Sequence, residues 1–166
     1  MSMLRPSKRF LFAMVLRMIA ALFLPFGAIS VHAGEVTAAE TIDDNGGADL
    51  VATHAAIVAA AESYAHGEFT KLEVQRVMSM LVDFAATKVV AANQRLADEQ
   101  ERLSDDEKAM LASLIRAYES LSEAARALSR YAETQNEVDL REFELRLNDA
   151  SQQISLIDGK PGRRWA

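Results

Sequence analysis

The stretch from Glu68 to Asp158 reads EFTKLEVQRVMSMLVDFAATKVVAANQRLADEQERLSDDEKAMLASLIRAYESLSEAARALSRYAETQNEVDLREFELRLNDASQQISLID and contains neither Gly nor Pro. Folds rich in β-structure draw on those two residues for their turns. So long a segment without either, and rich in Ala, Leu, Glu and Arg, is read as helical. Two Ser/Thr-x-x-Glu patterns divide it: Thr70-Lys71-Leu72-Glu73 and Ser104-Asp105-Asp106-Glu107. In such a capping box the hydroxyl and the glutamate each satisfy a backbone donor that a helix start leaves free, and the acids of the second sit at the positive end of the helix dipole.

The apolar spacing fits these boundaries. A helix from Thr70 to near Leu103 carries Val74, Met78, Leu81, Ala85, Val89, Ala92, Leu96 and Leu103. The next alternates steps of three and four through Leu111, Leu114, Tyr118, Leu121, Ala125, Leu128 and Ala132. After Asn136 a further helix continues the rule with Leu140, Phe143, Leu147, Ala150, Ile154 and Ile157, and it closes at Gly159. Two such seams joined by a short polar link predict a coiled-coil-like hairpin. Phe84, Tyr118, Tyr131 and Phe143 are expected in the core. Glu137 with Arg141, and Glu142 with Arg146, are spaced to pair along an exposed helix face.

Upstream, a first helix is expected from Asp49 as N-cap to near Ala65, with Gly67 as a left-handed closing residue. Its face reads Val51, His54, Val58, Ala61 and Ala65. The fold class is therefore all-α: an elongated antiparallel three- or four-helix bundle over residues 49–159. The rival is a rod in which residues 71–133 form one helix that pairs with a second copy.

The ends differ from the middle. Arg5, Lys8 and Arg9 precede the apolar run Phe10–Leu24, followed by Pro25, Gly27 and Ser30-Val31-His32-Ala33. This order is that of a cleavable signal peptide over residues 1–33, cut after Ala33. Arg17 leaves Met18–Val31 as the longest uncharged run, shorter than the roughly 20 residues a spanning helix needs. An uncleaved anchor is the alternative. Either route places the domain outside the cytoplasm, in the periplasm or secreted. Residues 34–48 read as a flexible acidic linker, and residues 160–166 (Lys160-Pro161-Gly162-Arg163-Arg164-Trp165-Ala166) as a basic flexible tail.

Charge and composition narrow the function. The net charge is −6, and no acidic residue precedes Glu35, so the chain after the leader is more acidic still. Such a surface repels phosphate backbones, and no nucleic-acid partner is expected. The absence of cysteine removes disulfides and thiolate chemistry. No glycine-rich phosphate loop, Gly-x-Ser-x-Gly elbow or His-Glu-x-x-His pair occurs, and no cofactor is expected. Asp43-Asp44-Asn45-Gly46-Gly47-Ala48-Asp49 lacks the glycine and glutamate positions of a calcium loop.

Glu62 and His66, four apart at a helix end, are the one seed for a metal site. The leading expectation is a non-enzymatic exported protein that acts by protein contact, as an adaptor, a chaperone-like binder or an assembly component. Arg163, Arg164 and Trp165, together with Val77, Met80 and Val90 on the second helix, are the candidate contacts. A small-molecule- or metal-binding bundle is the second reading, and an enzyme without a recognisable motif the third. A homo-oligomer is compatible with all three. The membrane enters only through an uncleaved leader.

Overall fold

The computed structural model describes residues 38–158. They form four helices: α1 (Ala38–Ala65), α2 (Lys71–Asp98), α3 (Asp105–Thr134) and α4 (Glu137–Asp158). The signal peptide and the tail expected at the two ends lie outside the described residues.

Both capping boxes are formed. The Thr70 backbone N–H donates to Glu73 Oε2 at 2.7 Å and its hydroxyl accepts from Glu73 N at 3.3 Å; Ser104 and Glu107 repeat the arrangement at 2.8 and 3.3 Å. The chain thus breaks between Asp98 and Asp105, and the single rod over residues 71–133 does not form. In the link, Glu99 N donates to Arg95 O, and Leu103 turns inward to 7% exposure just before the Ser104 cap. Ser104→Ala is expected to lower stability by about 1 kcal/mol, read from the thermal midpoint. An unchanged midpoint would show that packing alone holds this helix start.

The other two links use left-handed backbone. Gly67, at φ 68°, ends α1 while Glu68 N and Phe69 N both donate to Ser63 O, and Phe69 is buried against the core. Between α3 and α4 the left-handed residue is Gln135, at φ 55°, where a side chain is uncommon. Its conformation is held from several sides. Its backbone N–H donates to Tyr131 O at 2.8 Å, and its side-chain amide donates to Tyr64 Oη at 2.7 Å and to Tyr131 O at 3.1 Å. Asn136 then caps α4 by accepting from Val138 N at 3.0 Å.

The most extensive packing joins α2 to α3 and α3 to α4. α1 touches all three other helices more sparingly, and α2 and α4 do not pack on each other. α3 is therefore the hub of an antiparallel bundle. All seven residues of its expected seam are buried, and Ala117, Ala124 and Ala127 extend the buried arc so that three neighbours can approach. The seam of α4 is likewise turned inward, with Phe143, Ala150 and Ile157 buried and Leu140, Leu147 and Ile154 packed beside them.

Three details differ from the sequence reading. The backbone is helical from Ala38, well before the start expected at Asp49, so helix replaces linker from that residue onward. Asp49 does not cap: its carboxylate pairs with Lys88 of α2 while its carbonyl accepts from the Thr53 hydroxyl at 2.7 Å. Secondly, the buried face of α1 is Leu50, Thr53, Ile57 and Ala60 with Tyr64 alongside, and Val51 stands 50% exposed. In an alanine-rich helix nearly every face is apolar, so position alone settles which one turns inward. Thirdly, only Glu137 and Arg141 pair along α4, at 3.8 Å. Glu142 pairs instead with Arg130 at 2.6 Å and Arg146 with Glu123 at 2.8 Å, because α3 lies close enough to supply both partners across the hairpin.

Candidate functional site

Three polar clusters and one surface merit chemical consideration. The deepest cluster joins three helices. The Asp49–Lys88 ion pair links α1 to α2, and the Lys88 ammonium stands 5.1 Å from the centroid of the Phe84 ring. Phe84 meets Tyr118 of α3 edge to face at 6.4 Å. Tyr118 is fully buried. Burial pushes its phenol well above the usual range, and the nearby Asp49 charge pushes it further. The protonated form of Tyr118 is thus favoured, which suits a structural phenol and not a proton-transfer group.

The second cluster is one that spacing cannot reveal. His54 Nε2 lies 2.9 Å from Ser151 Oγ, which ties α1 to α4 across 97 residues of sequence. Serine beside histidine invites a nucleophile reading, but the proton inventory opposes it. The Ser151 hydroxyl donates its one hydrogen to Leu147 O at 3.0 Å, so the imidazole is the donor to Ser151 Oγ and does not act as a base toward it. Burial holds His54 below its ordinary 6.5. The unfolded chain therefore takes up a proton that the folded state resists, and stability falls as pH drops below about 6.5. Denaturant midpoints measured from pH 7.5 to 5 are expected to show this slope in the wild type and a flatter one in His54→Gln. Equal slopes would place the acid sensitivity elsewhere.

The third cluster closes the α3–α4 turn. Arg130 Nε donates to Asp139 Oδ1 at 2.8 Å and the Thr134 hydroxyl lies 3.1 Å from Asp139 Oδ2. The Arg130 hydrogen bond, foremost among these contacts, holds the Asp139 carboxyl below its usual range. Between α3 and α4 a half-open polar groove of about 250 Å³ is lined by Arg116, Glu119, Glu123, Arg146 and Asp149 among others. Arg146 Nε is close to the Glu123 carboxylate, yet its N–H is not aligned for a hydrogen bond. The contact is one of charge.

Glu62 and His66 are both exposed at the end of α1. His66 Nδ1 lies 2.8 Å from the Glu62 carbonyl oxygen, so this imidazole closes a helix end. Among the described residues no group of three or more His, Asp or Glu gathers as a metal would require. Arg95 escaped the sequence reading altogether: it is 6% exposed, its Nε stands 3.4 Å from Glu99 Oε2, and its Nη1 has no hydrogen-bond partner among the described residues. A buried guanidinium so thinly served adds little to stability, and Arg95→Met is expected to leave the thermal midpoint unchanged. A fall of several degrees would reveal an anionic partner for it.

The surface is the outer side of α2. Val77 faces inward at 2% exposure, because α2 packs on both α1 and α3, and is withdrawn as a contact residue. Met80 and Val90 remain exposed at 37% and 55%. Between Asp83 and Asp98 the exposed residues of α2 are Ala86, Thr87, Val90, Ala91, Asn93, Gln94 and Ala97, none of them charged. Arg163, Arg164 and Trp165 lie outside the described residues. No described helix is long and apolar enough to cross a membrane. No family model matches this chain, and neither a curated protein nor a solved structure proves similar to it.

Proposed function

We propose that this chain is an exported, non-enzymatic helical protein that acts by contact with another protein in the cell envelope or outside the cell. The observation that carries the reading is the uncharged outer side of α2 between Asp83 and Asp98. A quarter of the chain is charged, yet this face carries Val90 and a run of small or amide side chains from Ala86 to Ala97, while Met80 stands about two turns before Thr87 with the exposed Asp83 between them. Such a surface loses little hydration on docking and admits the close approach of a partner helix. The expected export signal over residues 1–33 supplies the location, and the tail residues Arg163, Arg164 and Trp165 would add charge-assisted contacts to an acidic partner. The polar clusters favour this reading over catalysis, since each is explained by the helices that it ties together.

A photo-activated cross-linker at position 90 is expected to give a discrete adduct in the intact envelope. The same probe at Glu144, on α4, should not give it. With the probe kept at position 90, Met80→Arg combined with Ala86→Arg should lower adduct yield about tenfold or more, at an unchanged thermal midpoint. If position 90 yields no adduct, the contact reading fails. The exported form is expected to begin at Gly34, which N-terminal sequencing would show; a product retaining Met1 would favour the anchored alternative.

A further inference from the structure

Polar contacts tie α1 to each of the other helices. Asp49 pairs with Lys88 of α2, and further along the Tyr64 hydroxyl donates to Ala132 O of α3 at 3.3 Å. Between them His54 reaches Ser151 of α4. Only this middle tie rests on an imidazole, the side chain whose ordinary charge change falls between pH 5 and 8.

The surroundings of His54 suit the neutral ring. The Ser151 hydrogen is committed to Leu147 O, so Nε2 carries the proton of the neutral imidazole and donates it to Ser151 Oγ. A second proton would go to Nδ1, which has no hydrogen-bond partner among the described residues. No free charge faces the ring from the helices around it. On α1 itself Asp49 is engaged by Lys88, and Glu62 is exposed at the helix end. On α4, Glu144 is exposed while Arg146 and Asp149 line the groove toward α3. Tyr64 and Ala132 stand 68 residues apart, an offset that puts Ser122 of α3 level with His54; its neighbour Glu123 pairs with Arg146. On α2, five residues back from Lys88, Asp83 is exposed. Burial is accordingly what lowers the affinity of this imidazole for a proton.

A released α1 would take the proton at the ordinary affinity, whereas docked α1 resists it. Release is therefore favoured as pH falls through about 6.5. The fold permits release of this helix alone. α1 makes the sparsest contacts of the four, and the α2–α3 and α3–α4 pairs do not pass through it. Gly67, in left-handed backbone at its end, leaves it tethered.

We infer that α1 is an acid-released latch: protonation of His54 frees it from the bundle and uncovers the face Leu50, Ile57 and Ala60 together with the trough among α2, α3 and α4 that this face fills. The device does not depend on the contact proposed for the outer side of α2, and either can fail without the other.

Hydrogen exchange of the full chain, with rates divided by the intrinsic exchange rate at each pH, tests it. Between pH 7.5 and 5.5 the protection of residues 50–64 is expected to fall about fivefold further than that of α3 and α4. His54→Gln keeps a neutral donor at that position and should remove the difference. His66→Gln, which deletes the other imidazole of α1, should retain it. His54→Arg fixes the charge, and α1 should be poorly protected already at pH 7.5. An acid response that persists in His54→Gln, an equal loss in all four helices, full protection of α1 in His54→Arg, or no response in the wild type would each overturn the proposal.

Discussion

Replacing Tyr118 with alanine is expected to lower the unfolding free energy by about 3–5 kcal/mol, the largest effect of any single substitution considered for this domain. Tyr118 is the largest fully buried side chain among the described residues, it lies on the helix that the other three described helices touch, and it packs edge to face with Phe84. Removing the ring leaves a cavity at the junction of α1, α2 and α3, which a close-packed interior fills only in part. Tyr118→Phe separates the ring from its hydroxyl and is expected to lose about 1 kcal/mol. Urea denaturation followed by circular dichroism measures both. A loss below about 1 kcal/mol for the alanine variant would mean that α3 is not the hub.

The second large effect concerns α1. Ala56 and Ala60 are buried at 1% and 0% exposure in the core cluster, so the helix is held where backbones run close together. Ala60→Leu inserts three further carbons where no space remains, and overpacking of this kind costs about 1–3 kcal/mol. Because α1 makes the sparsest contacts of the four helices, the strain is expected to be relieved by releasing it, not by unfolding the whole domain. Hydrogen exchange should then show lost protection in residues 50–64 with α3 and α4 still protected. Uniform loss across all four helices would indicate a single cooperative unit.

What the sequence disclosed depended on whether the signal was local. Thr70 and Ser104 were legible as caps because the partner of each hydroxyl lies three residues away, and the α3 and α4 seams because leucines and aromatics alternate sharply with charge. Register was lost where contrast is lost: from Ala52 to Ala61 nearly every residue is small and apolar, and the choice of Leu50 over Val51 belongs to the neighbours. Glu142 and Arg146 had adequate partners within their own helix and took others across the hairpin, where α3 offers a shorter approach. His54 and Ser151 could not be joined in advance, since nothing between positions 54 and 151 marks them as neighbours. Val77 was open to misreading for a related reason. A single apolar stripe describes a helix with one neighbour, and α2 has two.

The dominance of contacts between successive helices also bears on how the structure is reached. α2 with α3, and α3 with α4, are pairs whose members meet after only a short loop closes. Topologies of that kind have a low search entropy and form quickly, so the three later helices should assemble as a nascent unit within milliseconds. α1 must await a surface built by all three, which makes its arrival the final step of refolding and its departure the earliest step of denaturation.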